Sequence, residues 1–120
     1  MKNYRCERVA DLITREIAQI IEKKISDPRL HLITITATRV TRDIRIAYVY
    51  YTVRPVDVEL AEIQAALKNA TGYIRREMGQ VLELRYIPEL RFEFDKSLDY
   101  GNRIWDQLEA LEDDDTLDTE

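Results

Sequence analysis

The sequence predicts a small α+β domain in which three strands form one sheet and helices bank against one of its faces. Three observations predict it. Apolar residues recur at helical spacing in two long stretches, and they alternate with polar residues in three short ones. The order of these patterns is helix, strand, strand, helix, strand, followed by a weaker helix and an acidic end. A chain of 120 residues that is 45% hydrophobic suffices for one such core and one domain.

Each element has its own signal. Val9, Leu12, Ile13, Ile17, Ile20, Ile21 and Ile25 mark an amphipathic helix over about residues 5–25. Ser26-Asp27-Pro28 stops it, because the residue before proline is pushed out of helical space. Residues 32–41 alternate, with Ile33, Ile35 and Ala37 on one face and Thr34, Thr36 and Thr38 on the other. Residues 44–54 set Ala47, Val49, Tyr51 and Val53 against Tyr48, Tyr50 and Thr52. Thr41-Arg42-Asp43 connects the two as a hairpin, and Pro55 ends the second strand.

A helical region over about 57–84 follows, with Leu60, Ile63, Leu67, Ala70, Ile74, Met78 and Val81 on its core stripe. Gly72 falls inside that span, where it costs about 1 kcal/mol relative to alanine. The expectation is a kink dividing two helices, or a simple cap between them, with the small Ala70-Thr71-Gly72 step letting another surface approach closely. The third strand runs 87–95, with Leu90, Phe92 and Phe94 inward and Glu89, Arg91, Glu93 and Asp95 forming one solvated outer face. Leu98, Ile104, Leu108 and Leu111 allow a short C-terminal helix, so the domain is expected to span 1–111. Residues 112–120 are an acidic tail expected to be disordered, since its like charges repel and little in it can be buried.

Charge is unevenly distributed. The net charge is −5, yet residues 1–91 hold 16 Lys/Arg against 12 Asp/Glu, and residues 92–120 hold 2 against 11. A basic body permits a nucleic-acid partner without demanding one. The most suggestive stretch is Lys68-Asn69-Ala70-Thr71-Gly72-Tyr73-Ile74-Arg75-Arg76. At a helix start, free N–H groups and two arginines suit a phosphate, and Asn69 and Thr71 suit sugar or phosphate oxygens. Arg75 and Arg76 read equally well as solvated side chains paired with Glu77 or Glu62. Arg39, Arg42 and Arg45 form a second basic group around the hairpin, and Lys23, Lys24 and Arg29 a third at the end of the first helix. Together they make a candidate phosphate-tracking surface.

Catalysis and cofactors find no support. His31 is the only histidine, and Ser26 and Ser97 are the only serines, none in a nucleophile setting. Cys6 is the only cysteine, which excludes an intramolecular disulfide and a thiolate zinc cluster. Asp113-Asp114-Asp115 lacks the spaced ligands and glycine of a calcium loop. Neither a signal peptide nor a membrane span is legible, so a monomer in a reducing cytoplasm is expected, with no cofactor, metal or enzymatic activity.

The element order is that of a type II K-homology (KH) domain, an RNA-binding fold that grips nucleotides with a Gly-x-x-Gly loop between two helices. Five ordered blocks are more specific: Arg8-Val9-Ala10-Asp11-Leu12-Ile13 with Arg15-Glu16-Ile17, then Asp27-Pro28-Arg29, and Thr41-Arg42-Asp43. Ala70-Thr71-Gly72-Tyr73-Ile74-Arg75-Arg76-Glu77 and Leu84-Arg85-Tyr86-Ile87-Pro88-Glu89-Leu90-Arg91-Phe92 complete the set. In these blocks the chain resembles the ribosome-binding factor A family. The resemblance covers about residues 5–110. It implies a KH-like domain with an Ala-x-Gly kink in place of Gly-x-x-Gly, and binding to the free 30S subunit and its 16S rRNA near the 5′-terminal helix. It also implies a part in late maturation and precursor processing, growth at low temperature, and partners including an assembly GTPase and small-subunit ribosomal proteins. The Gly-x-x-Gly loop itself is missing here, and the acidic tail lies outside the shared pattern.

Two other readings stay open. Tyr48 and Tyr50 on the outer sheet face would stack bases in a generic single-stranded RNA binder, or else pack against Leu98, Ile104 or Trp105. A protein-interaction module would use the acidic tail on a basic partner.

Overall fold

The structure is a computed structural model that describes residues 4–55 and 57–96. The final helix and the acidic tail expected from the sequence lie outside the described residues.

Helix α1 (Tyr4–Lys24) buries Val9, Ala10, Ile13, Ile17, Ile20 and Ile21. Leu12 does not join them and is 40% exposed. At 100° per residue it sits about 120° round from the centre of that stripe. A short 3-10 helix (Leu30–Leu32) holds His31, whose Nε2 lies 2.7 Å from the Ile25 carbonyl oxygen. Strands β1 (Ile33–Val40) and β2 (Ile46–Val53) pair antiparallel, and β3 (Glu89–Phe94) pairs parallel to β2. The sheet order is β1-β2-β3, so among the described residues β1 and β3 are the edges. Helix α2 (Leu60–Val81) supplies the crossover that a parallel β2–β3 pair needs. Both helices pack on one face of the sheet, over a core built from Ile13, Ile17, Ile20, Leu30, Ala47, Val49, Tyr51, Ile63, Leu67, Ile74 and Met78. Each such large aliphatic side chain contributes about 1.5–3 kcal/mol by leaving water.

Three sequence expectations change. The first concerns α2, which is one helix rather than two segments divided at Gly72. Ile63, Ala66, Leu67, Ile74 and Met78 are all buried on one stripe that crosses the glycine, and that burial outweighs the roughly 1 kcal/mol propensity cost. Leu60 (38% exposed) and Val81 (53%) lie on the stripe's azimuth but are the terminal residues of the helix, and both face water.

The second is the phase of β1. Ile33, Ile35, Thr38 and Val40 oppose Val53, Tyr51, Val49 and Ala47, the core face of β2, because the register shifts between Ile35 and Ala37. Thr36 is the extra residue of a β-bulge, so alternation restarts after it. Thr38 therefore points at α1, where its hydroxyl lies 2.7 Å from that of Thr14, and Ala37 turns outward.

The third is Asp95, which is buried rather than part of a solvated face. Its Oδ2 accepts from the Thr36 hydroxyl at 2.9 Å, and its N–H donates to the Tyr51 carbonyl at 2.7 Å.

Candidate nucleic-acid interface

The hairpin between β1 and β2 is a compact polar knot. The Ile44 N–H donates to the Thr41 carbonyl at 2.8 Å, and the Thr41 N–H donates to the Ile46 carbonyl at 3.0 Å. Asp43 Oδ1 accepts from the Thr41 hydroxyl at 2.7 Å and from the Arg45 N–H at 3.2 Å. Those donors hold the Asp43 carboxyl below the ordinary carboxylate range, the Thr41 hydroxyl most of all. Ile44 adopts φ 58°, a left-handed conformation that is strained for a β-branched residue, while its side chain is buried in the core. The Cys6 thiol donates to the Thr41 carbonyl at 3.6 Å, tying the start of α1 to the turn. Burial pushes this thiol's pKa up, so it is a packed thiol and not a reactive thiolate. The knot presents Arg42 and Arg45 to solvent.

Because β3 runs parallel to β2, the loop entering β3 lies beside this hairpin, and the Glu89 N–H donates to the Arg45 carbonyl at 2.8 Å. Arg75 reaches the same loop from α2, donating to the carbonyls of Ile87 (2.9 Å) and Pro88 (3.1 Å). Its fork geometry fits two neighbouring carbonyls, and its partners are these rather than Glu77 or Glu62. The close approach expected at Gly72 occurs at Gly79. A Cβ on Gly79 would stand 3.1 Å from the Ile87 side chain, whereas one on Gly72 would meet nothing within 4 Å. Gly72 is thus an uncovered stretch of helix.

A cavity of about 200 Å³ lies between α2, β2 and edge strand β3, lined by Tyr51, Gln64, Leu67, Lys68, Thr71, Leu90 and Phe92. Its floor is apolar and its rim carries the Lys68 ammonium. Burial pushes the Tyr51 phenol up in pKa against the opposing hydrogen bond from Gln64, keeping it protonated. The Thr71 hydroxyl donates to the Leu67 carbonyl at 2.7 Å. Since α2 runs through this region unbroken, the amides after Gly72 belong to its ladder and offer no helix N-terminus to an anion. Any phosphate contact here falls to side chains. Asn69, Arg75 and Arg76 are exposed and Ala70 half-buried, with the Arg76 guanidinium 5.7 Å from the Tyr73 ring centroid.

The third basic group is separate and largely neutralised. Lys24 Nζ is 2.7 Å from Glu77 Oε1, and that hydrogen bond and charge raise the Lys24 pKa. Arg29 forks onto Asp27 through Nε (3.1 Å) and Nη2 (2.8 Å), depressing the Asp27 carboxyl. Only Lys23 stays without an ion pair among the described residues of that group.

The outer sheet face offers no stacking platform at the expected tyrosines. Tyr48 is 5% and Tyr50 2% exposed, so neither ring is open to a base. Packing of these rings on Leu98, Ile104 or Trp105 concerns residues outside those described. The aromatic that sequence reasoning missed is Tyr86, 59% exposed, with the Arg45 and Arg85 guanidinium carbons 6.0 and 5.5 Å from its ring centroid. The Leu84–Phe92 block contained the signal, an Arg-Tyr pair just before a proline-led strand.

A helix–strand–strand–helix–strand domain with a parallel last pair and a groove between its second helix and an edge strand is a type II KH-like domain. Comparison with known proteins narrows the class. The family profile described as "Ribosome-binding factor A" matches residues 5–108, and the chain belongs to the ribosome-binding factor A family. It is 43% identical to the Staphylococcus epidermidis protein of that name over 92% of this chain and 96% of that one. It is 44% identical to the Geobacter sulfurreducens protein over 90% and 92%. Among solved structures, the crystal structure of ribosome-binding factor A from Thermus thermophilus superposes with a TM-score of 0.66 at 25% identity, covering 73% of this chain and 93% of that one. A homology model of the Thermus thermophilus protein, fitted into the cryo-EM map of its complex with the 30S subunit, gives 0.62 at 25% identity, covering 76% of this chain and 96% of that one.

Proposed function

We propose that this protein binds the free small ribosomal subunit through 16S rRNA and assists its late maturation. The observation that carries the reading is the family match over nearly the whole folded body, with a relative described as fitted into a 30S complex. The geometry supplies a physical account. Lys68 and Thr71 line a groove beside an edge strand, one residue short of the uncovered Gly72, and Arg42, Arg45 and Arg85 crowd the adjoining hairpin end. Cations arrayed along one rim follow a phosphate backbone, which gives affinity that falls with salt. The apolar floor suits an unstacked base better than a duplex.

In this reading the protein holds rRNA and performs no chemistry. Among the described residues no group of His, Cys, Asp and Glu is placed to hold a metal ion. No helix of the described residues is long and apolar enough to cross a membrane. The finer parts of the proposal are contact near the 5′-terminal helix of 16S rRNA, support of precursor processing and of growth at low temperature, residence in the cytoplasm, and release with an assembly GTPase.

Co-sedimentation with separated small subunits, large subunits and whole ribosomes, at low and moderate salt, tests it. Selective recovery with free small subunits, weakening as salt rises, is the expected result. Equal recovery with every particle, or none, would remove the proposal.

A further inference from the structure

We propose that Tyr86, flanked by Arg45 and Arg85, is a stacking platform for an unpaired base of single-stranded RNA, a contact separate from the Lys68 groove; this rests on the rRNA-binding reading above. Three features carry it. The ring is 59% exposed, so two guanidinium groups at 6.0 and 5.5 Å leave part of it open to a base. Those distances lie within cation–π range, so the arginines bias the ring's position while keeping donors for phosphate. Arg45 is held by its own acid only loosely, with Asp43 Oδ2 at 3.7 Å and both side chains well exposed, so a phosphate competes readily for it.

The third feature is the rigidity of the mount. Tyr86 precedes Ile87, whose side chain closes on Gly79, and Pro88, which is fully buried. Arg75 clamps the Ile87 and Pro88 carbonyls, and the Glu89 amide is bonded to Arg45. The loop is therefore fixed on the helix side and on the hairpin side, and a large aromatic projects from it into water. A ring mounted this way loses little conformational freedom when a base lands on it. Duplex RNA keeps its bases stacked inside, so the platform selects single strands, loops or ends.

The test is anisotropy titration of a labelled short oligoadenylate and of a labelled RNA duplex, across a salt series, with wild type, Tyr86→Ala, Tyr86→Trp and Arg45→Ala/Arg85→Ala. Loss of one stacked base weakens binding about five- to 150-fold. Tyr86→Ala is expected to lose at least about fivefold on the oligoadenylate with an unchanged salt slope. Tyr86→Trp keeps or tightens binding, which separates stacking from a folding defect. The double arginine variant lowers the magnitude of the slope by about 1.4, the value for two phosphates on a single strand. Wild-type affinity retained in Tyr86→Ala, a matching loss on the duplex, or no binding of oligoadenylate by wild type would overturn the platform. Recovery of wild type with small subunits beside an unaffected Tyr86→Ala overturns the platform alone. A Tyr86→Ala loss beside a wild type that ignores small subunits supports the platform and removes the ribosomal reading.

Discussion

Two basic corners that look equivalent in the sequence differ in what their charges already do. At the end of α1, Lys24 is bonded to Glu77 and Arg29 forks onto Asp27, so two of three cations serve the fold. At the hairpin, Arg42 and Arg85 are exposed without an ion pair among the described residues, and Arg45 is held only at 3.7 Å. Arg75, between groove and hairpin, is a brace: it spends its donors on two carbonyls of the loop that presents Tyr86. A cation's availability depends on its neighbours in space, which a count of Lys and Arg along the chain does not see.

The comparison breaks most completely if the shared core fails. Ile74→Ala removes a fully buried side chain and is expected to cost about 2–5 kcal/mol in urea denaturation. Binding should fall only in proportion to the unfolded fraction. The comparison sharpens with charge reversal. Arg42→Glu with Arg45→Glu is expected to weaken subunit association at least about tenfold and to flatten its salt dependence, while Lys23→Ala with Arg29→Ala changes it less than about twofold. Equal losses in sedimentation assays would erase the distinction between the corners.

Arg75→Ala should cost about 1–3 kcal/mol and raise amide exchange in residues 82–88, and Arg75→Lys should recover little because an ammonium cannot fork onto two carbonyls. The glycines form a smaller pair. Gly72→Ala, with open space and helical backbone, is expected to gain about 0.5–1 kcal/mol of stability while weakening RNA association. Gly79→Ala gains nothing comparable, since Ile87 must first give way.

The smallest effect is on pH. Asp27 and Asp43 both have folded pKa values below the ordinary carboxylate range. Their contribution is complete above the unfolded value of about 4 and is lost as pH falls through the lower folded values. Asp43 is exposed and Asp27 only half-buried, so acid titration of Asp43→Ala should show an acid limb only slightly flatter than that of wild type.

The fold was largely legible because it depends on periodicity, which the sequence displays. Helix stripes, strand order and the hairpin position all follow from spacing. What escaped depends on single interactions at a distance. The bulge at Thr36 leaves no signal within β1 itself, since Ile33 to Thr38 alternates perfectly on paper. Gly72 suggests itself as the point of close approach because it interrupts a motif, while Gly79 does that work because Ile87 is there. For the candidate site, the two exposed hairpin arginines and Lys68 were legible as cations on a basic body. Tyr86 is less conspicuous in the sequence than Tyr48 and Tyr50, whose strand positions suggest a stacking face that burial removes.

Thr36 has one more consequence. Strike it from β1 and the remaining residues would alternate without a break, each on the face it now occupies. The strand is thus a regular word with one letter inserted, and the insertion is not idle. The hydroxyl of that surplus residue lies 3.2 Å from the Tyr50 carbonyl of the middle strand and 2.9 Å from the carboxylate of Asp95, just past the far edge strand. The one residue that pairing does not need is the one that laces the two outer strands together across the middle one.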